Sequence, residues 1–155
     1  MKMILSSVRQ GIFAWLAAAA LLLAAGGAYA GDTPTSLAGA TVVTAQKAKE
    51  LMGSGAVMID ARLANEYVEA HIKGAKNIPY KEKSGKTADY DASQDHFDLA
   101  KLPADKNAPV IFGCNGPECW KSYKAAHAAI KAGYKKVYWL RGGFPEWKAK
   151  GYPVE

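Results

Sequence analysis

VIFGCNGPECW, residues 110–120, runs from an apolar strand through a tight turn into a helix. Val110-Ile111-Phe112-Gly113 is β-branched and aromatic, with no polar alternation, so it predicts a strand buried on both faces. Gly116 and Pro117 break the run and predict a turn. From Cys119 to Ala132 the small positions 122, 125, 126 and 129 recur on one helical face, and Gly133 supplies the stop. Cys114 therefore stands where a strand ends and a helix is about to begin. Such a turn can curl main-chain N–H groups around the sulfur, and the helix start adds partial positive charge. Both effects favour a thiolate or a bound anion.

The flanking segments repeat the alternation. Thr41 to Val43 reads as a strand, and Thr44 caps a helix whose apolar positions are Ala48, Leu51 and Met52, halted at Gly53-Ser54-Gly55. Ala56 to Ile59 is a second strand ending at Asp60. A short helix over 64–70 and a strand over 75–78 follow. Residues 80–95 are polar and aperiodic, which predicts a long surface loop. Phe97 to Leu102 gives one or two helical turns. Val137 to Leu140 is the last strand, and Pro145 opens a final helix that Gly151 and Pro153 end. Short apolar strands alternating with helices, without hairpin signals, predict an α/β fold with a mostly parallel sheet covered on both faces. Ligands of such sheets bind at the carboxyl ends of the strands, where Asp60 and Cys114 both stand.

The first thirty residues follow another logic. Lys2 and Arg9 precede 20 uncharged residues, Gly11 to Ala30, that finish in Ala28-Tyr29-Ala30. This reads as a cleavable leader over 1–30, which places the remainder in the periplasm or outside the cell. The alternative is an uncleaved anchor facing the same side, and it gives the only expected membrane contact. Residues 31–37 read as a linker and 38–155 as one domain. The whole chain carries +6; without Lys2 and Arg9 the remainder carries +4. Its lysines are interspersed with acids and read as a solvated surface, which excludes a nucleic-acid face. Arginine is rare: only Arg62 and Arg141 follow the leader, so both forks have placed roles. A bond between Cys114 and Cys119 would close a very small ring and restrain little of the unfolded chain. The pair therefore points to chemistry more than to stability.

IDARLANEYVEAHIKGAKNIP (59–79) resembles the opening signature of the rhodanese family, and RGGFPEWKAKGYPVE (141–155) is similar to its closing one. VIFGC (110–114) matches the strand that delivers the family nucleophile, so the resemblance spans roughly 38–155. It implies a five-stranded parallel sheet flanked by helices. It also implies a sulfurtransferase whose cysteine takes sulfane sulfur from a donor such as thiosulfate and yields it to cyanide or a thiol. By this resemblance Cys114 is the nucleophile, rather than an inert core thiol. The loop residues Asn115, Gly116, Pro117, Glu118, Trp120 and Lys121 line the substrate site. Asp60, Arg62 and His71 are structural.

The loop departs from the family's six-residue cradle, being longer by one or two residues and carrying a second thiol and a tryptophan. It resembles a subset of exported members with a Cys-x4-Cys-Trp loop. Cys119 reads either as a redox partner that resolves or protects a Cys114 persulfide, or as a small core side chain. Lys121 either attracts an anionic donor or is simply solvated, and Trp120 packs over the loop more readily than it binds substrate. Arg62 is expected on carbonyls or on Glu66, and His71 on backbone. His96 and His127 read as ordinary side chains. No cofactor is expected, and zinc is disfavoured because the two cysteines lack further ligands at the right spacing. Phosphatase relatives of this fold place an arginine six residues after the cysteine, where this chain has Trp120. Two other readings stay open: a thiol–disulfide protein using Cys114 and Cys119, and a non-catalytic sulfur carrier for an exported partner.

Overall fold

A computed structural model describes residues 31–155; the expected leader over 1–30 lies outside the described residues. Five strands and four α-helices follow in order: β1 Ala40–Val42, α1 Ala45–Gly53, β2 Val57–Asp60, α2 Ala64–Glu69, β3 Lys76–Asn77, β4 Val110–Gly113, α3 Trp120–Lys131, β5 Val137–Leu140 and α4 Gly143–Ala149, with short 3-10 turns at Ala92–Gln94 and Leu99–Lys101 between β3 and β4. The sheet has five strands in the order β1-β5-β4-β2-β3, and every pairing is parallel. The α/β architecture and most boundaries match the reading of the sequence.

Alternation along the central strands sorts the core into two layers. Ile59, Val110, Phe112, Val137 and Trp139 face α3, whose Ala125, Ala126 and Ala129 let helix and sheet approach closely. Met58, Ile111 and Leu140 face the other way, against Ala45, Ala48 and Trp147 of α1 and α4. Thr44 caps α1 as expected, accepting from Lys47 N at 3.2 Å. Because β4 sits in the middle of the sheet with its carboxyl end at Gly113, the next residue, Cys114, emerges at the centre of that edge.

Two expectations need correction, and one needs an addition. Lys124 is not on a solvated surface: it is fully buried, with Nζ 2.8 Å from Glu82 Oε2 and 3.7 Å from Asp95 Oδ2. It also donates to Ser84 Oγ at 2.8 Å and lies 4.8 Å from the centre of the Tyr90 ring. Residues 80–95 run over the surface as expected, most of them exposed, but the segment is anchored by polar contacts. Lys81 and His96 form an isolated antiparallel bridge, and Asp95 accepts from the N–H groups of Lys83 and Ser84 and from the hydroxyls of Ser84 and Tyr80. Burial would raise the Asp95 pKa, but those donors prevail and hold it down to about 2. The loop is organised around carboxylates, so it shows no hydrophobic period. Finally, residues 31–37 do not trail as a linker. Thr33 and Leu37 are buried, and Thr33 donates from both N and Oγ1 to Pro117 O, at 2.8 and 2.7 Å.

Removing the Lys124 ammonium would leave Glu82 and Asp95 buried without their counter-charge. Lys124→Met keeps most of the volume, so its effect reports the charge. It is expected to destabilise the fold by about 3 kcal/mol, the usual penalty for breaking a buried pair from one side. Urea unfolding measures this; an unchanged midpoint would show that the loop is held by its other contacts.

Candidate active site

The segment 114–119 folds as a closed turn. Cys119 N donates to Gly116 O at 3.0 Å, and Gly116 adopts φ +108°, a conformation that glycine takes without a Cβ penalty. A second main-chain anchor comes from α4, where Phe144 N donates to Cys114 O at 2.8 Å. Gly143 makes this approach possible with φ +61°; a Cβ there would overlap Cys114 O and lie 2.7 Å from Gly116 N. Gly116, which the sequence suggested only for a turn, and Gly143 therefore together hold the back of the cysteine loop.

Cys114 and Cys119 are joined in a disulfide with their Cα atoms 6.2 Å apart. The two cysteines occupy different surroundings. Cys114 is 1 % exposed, whereas Cys119 is half-buried and lines an open cleft of about 230 Å³ with Glu82, Lys86, Asn115, Glu118, Trp120 and Lys121. Cys114 does not line it. Its Sγ instead faces the first turn of α3, accepting from Ser122 N at 3.4 Å and lying 3.0 Å from Ser122 Oγ. Trp139 Nε1 donates to that same Oγ at 3.0 Å. A disulfide sulfur carries no proton, so between sulfur and serine only the hydroxyl can donate, and the Cys119 carbonyl oxygen also lies 3.2 Å from the sulfur. Ser122 N is one of the first-turn N–H groups without a helical acceptor, so its dipole is available here.

This differs from the expected ring of main-chain donors around Cys114. In the disulfide state one N–H and one hydroxyl serve the sulfur, because its bond to Cys119 occupies the side facing the turn. The sequence reading missed Ser122, which it placed among the small positions on one face of α3. The available signal was a hydroxyl on a face otherwise made of alanine. Trp139, Glu82 and Lys86 were also missed, since each reaches the site from a distant segment.

The remaining loop residues divide by role. Asn115 Nδ2 donates to Glu66 Oε1, and Leu63 N donates to Glu66 Oε2 at 3.2 Å, which ties α2 to the cysteine loop. Burial acts to raise the Glu66 pKa, but these donors, with Lys121 and Arg62 nearby, bring it below the ordinary carboxylate range. Gly116 is buried, while Pro117 and Glu118 are exposed. Trp120 is 5 % exposed; its ring meets Tyr123 edge-on, and Nε1 donates to Gly31 O at 2.9 Å. Lys121 is half-buried at the cleft.

Arg62 does not use Glu66. Its fork instead grips the buried Asp60, with Nη2 2.6 Å from Oδ2 and Nε 3.0 Å from both carboxylate oxygens, and it donates to Ala70 O at 2.8 Å. Asp60 wins because it is adjacent in the turn and offers bidentate geometry. The guanidinium also stacks 4.3 Å from the Phe144 ring, so the pair supports α4 behind Cys114. Arg141 holds the amino-terminal segment through Thr33 O at 2.7 Å and Pro34 O at 3.0 Å. His71 bonds backbone, with Nδ1 2.8 Å from Tyr67 O, and stands apart from the cleft.

The profile of the Rhodanese-like domain family matches residues 44–150. Thiosulfate sulfurtransferase 18 of Arabidopsis thaliana is 31 % identical over 116 residues, covering 72 % of this chain and 81 % of the relative. Thiosulfate sulfurtransferase GlpE of Pseudomonas fluorescens is 31 % identical over 112 residues, covering 71 % and 85 %. Among solved structures, a Bacillus halodurans protein superposes with TM-score 0.57 at 24 % identity, covering 75 % of this chain and 77 % of that one, a likeness of fold.

Proposed function

The chain belongs to the rhodanese-like domain family, and on that premise we propose that it is a sulfurtransferase acting through a persulfide on Cys114. The carrying observation is the position of the Cys114 sulfur, at the end of β4 against the N–H and hydroxyl of Ser122. After reduction the same donors face a thiolate, and they lower the energy of that anion. The thiolate attacks the outer sulfur of a donor such as thiosulfate, the donor S–S bond breaks, and sulfite leaves with the bonding pair. Cyanide or a thiolate then takes the outer sulfur and restores the Cys114 thiolate. Thiosulfate as donor is supported by the names of the relatives, and Lys86 and Lys121 suit an anion in the cleft on the Cys119 side of the loop. The leader-like residues 1–30 support placing this chemistry outside the cytoplasm.

The test is direct. Reduced protein incubated with thiosulfate and freed of excess donor should gain the mass of one sulfur, mapped to the Cys114 peptide. No gain with any sulfane donor would overturn the proposal. The observed disulfide favours a second reading in which Cys119 completes the cycle: its thiolate attacks the inner sulfur of the Cys114 persulfide, hydrosulfide leaves, and the disulfide forms.

A further inference from the structure

We propose that the Cys114–Cys119 bond is opened only from its Cys119 end, by an external dithiol reductant entering the cleft that Cys119 lines. Thiol–disulfide exchange proceeds by in-line attack, so the sulfur attacked is the one a nucleophile can reach, and the better-stabilised thiolate leaves. Access and leaving-group stability agree here. Cys119 faces the open cleft, whereas Cys114 is 1 % exposed. The Ser122 N–H and hydroxyl lie beside the Cys114 sulfur to receive the departing charge, two donors against one opposing contact, the Cys119 carbonyl oxygen at 3.2 Å.

The cleft has charges suited to an incoming thiolate. The Glu82 carboxylate is engaged by Lys124 at 2.8 Å, which leaves Lys86 and Lys121 as its cations, with Glu118 exposed at the rim. One thiolate of the reductant bonds to Cys119 Sγ, the Cys114–Cys119 bond breaks, and Cys114 departs as the thiolate. The second thiol of the reductant then loses its proton and attacks its partner sulfur. Cys119 is released and takes up a proton, and the reductant becomes a disulfide. Two electrons pass from dithiol to protein, and Cys114 emerges in the form that attacks a sulfane donor. A monothiol needs a second molecule to clear the mixed disulfide on Cys119, and the adjacent Cys114 thiolate can re-close the ring first; a dithiol holds its second sulfur in place, so it is the partner this bond suits. A reaction that regenerates that dithiol must accordingly supply the compartment where this protein works. The inference rests on the sulfurtransferase reading only for what Cys114 does next, and the exchange itself needs no sulfane donor.

The experiment uses the oxidised protein and glutathione as a monothiol probe. After brief exposure the reaction is quenched in acid, free thiols are alkylated in denaturant, and the chain is cleaved after Glu118, which separates the two cysteines. Glutathione is expected on Cys119 and the alkyl group on Cys114, at least tenfold over the reverse arrangement. Glutathione on Cys114, an even split, or a bond that neither glutathione nor dithiothreitol opens would each overturn the proposal. In a second arm, Lys86→Ala combined with Lys121→Ala should slow opening by the anionic 2-mercaptoethanesulfonate at least threefold; an unchanged rate would remove the cleft as the entrance. Sulfur loading fails or succeeds independently of these arms, so the two readings fall separately.

Discussion

Cys114→Ser is expected to take up no sulfur from thiosulfate and to lose cyanide-dependent turnover by at least about a thousandfold, in line with removal of other covalent nucleophiles. A serine oxygen at this position is neither ionised at neutral pH nor able to carry sulfane sulfur. Ser122 and α3 can stabilise an anion only if one is present. Cys119→Ser separates the steps that follow. Cyanide removes the outer sulfur without help from Cys119, so this variant should load one sulfur and keep cyanide turnover within about threefold of the parent. With dithiothreitol as sole acceptor its persulfide should outlast the parent's, because the neighbouring thiolate that expels hydrosulfide is gone. The pair of variants is decisive against dithiol exchange as the main activity, since that reading requires both to fail equally. Mass analysis of the loaded species and a thiocyanate assay measure the two halves.

How far the sequence reveals such a site is shown by neighbouring residues of α3. Ala125, Ala126 and Ala129 follow the helical period and face the sheet as that period predicts. Ser122 and Lys124 are equally buried, yet their identities argue against burial. Their reasons lie elsewhere in the chain: the Cys114 sulfur and Trp139 for Ser122, and Glu82, Ser84 and Asp95 for Lys124. Periodicity reports how a residue faces its own element's neighbours, and it says nothing about a polar partner some forty positions away. The anchoring of loop 80–95 was hidden for the same reason, since it is ordered by hydrogen bonds to Asp95 instead of by an apolar stripe. Cys114, in contrast, was legible because strand, turn and helix start are all local features, and the three together place a sulfur at a sheet edge. The exposure difference between the two cysteines depends on α3 and loop 80–95 packing around them. No local pattern carries it.

Gly143→Ala is expected to lower kcat/KM about a hundredfold, the scale on which a misplacement of about 1 Å acts on a reacting group. The added methyl would meet main chain, overlapping Cys114 O and lying 2.7 Å from Gly116 N, so no side-chain rotation can relieve it. Either α4 or the cysteine loop must move, and the Phe144 N to Cys114 O bond of 2.8 Å connects the two. Overpacking of this kind costs roughly 1–3 kcal/mol, and the left-handed backbone adds about 1–2 kcal/mol for a residue with a Cβ. Two further substitutions separate these contributions. Gly151 has φ +67° with nothing within 4 Å of its Cβ position, so Gly151→Ala carries the backbone penalty alone and should leave turnover unchanged. At Gly142 the methyl would meet the Glu146 side chain, which accepts from Ala45 N at 2.8 Å. Gly142→Ala should therefore loosen α1 against α4 and reduce stability, with a smaller effect on turnover than Gly143→Ala. Urea unfolding and thiosulfate turnover on the three variants provide the measurement. Should Gly143→Ala match Gly151→Ala in both, the close contact of α4 with the cysteine loop would have no part in holding the nucleophile.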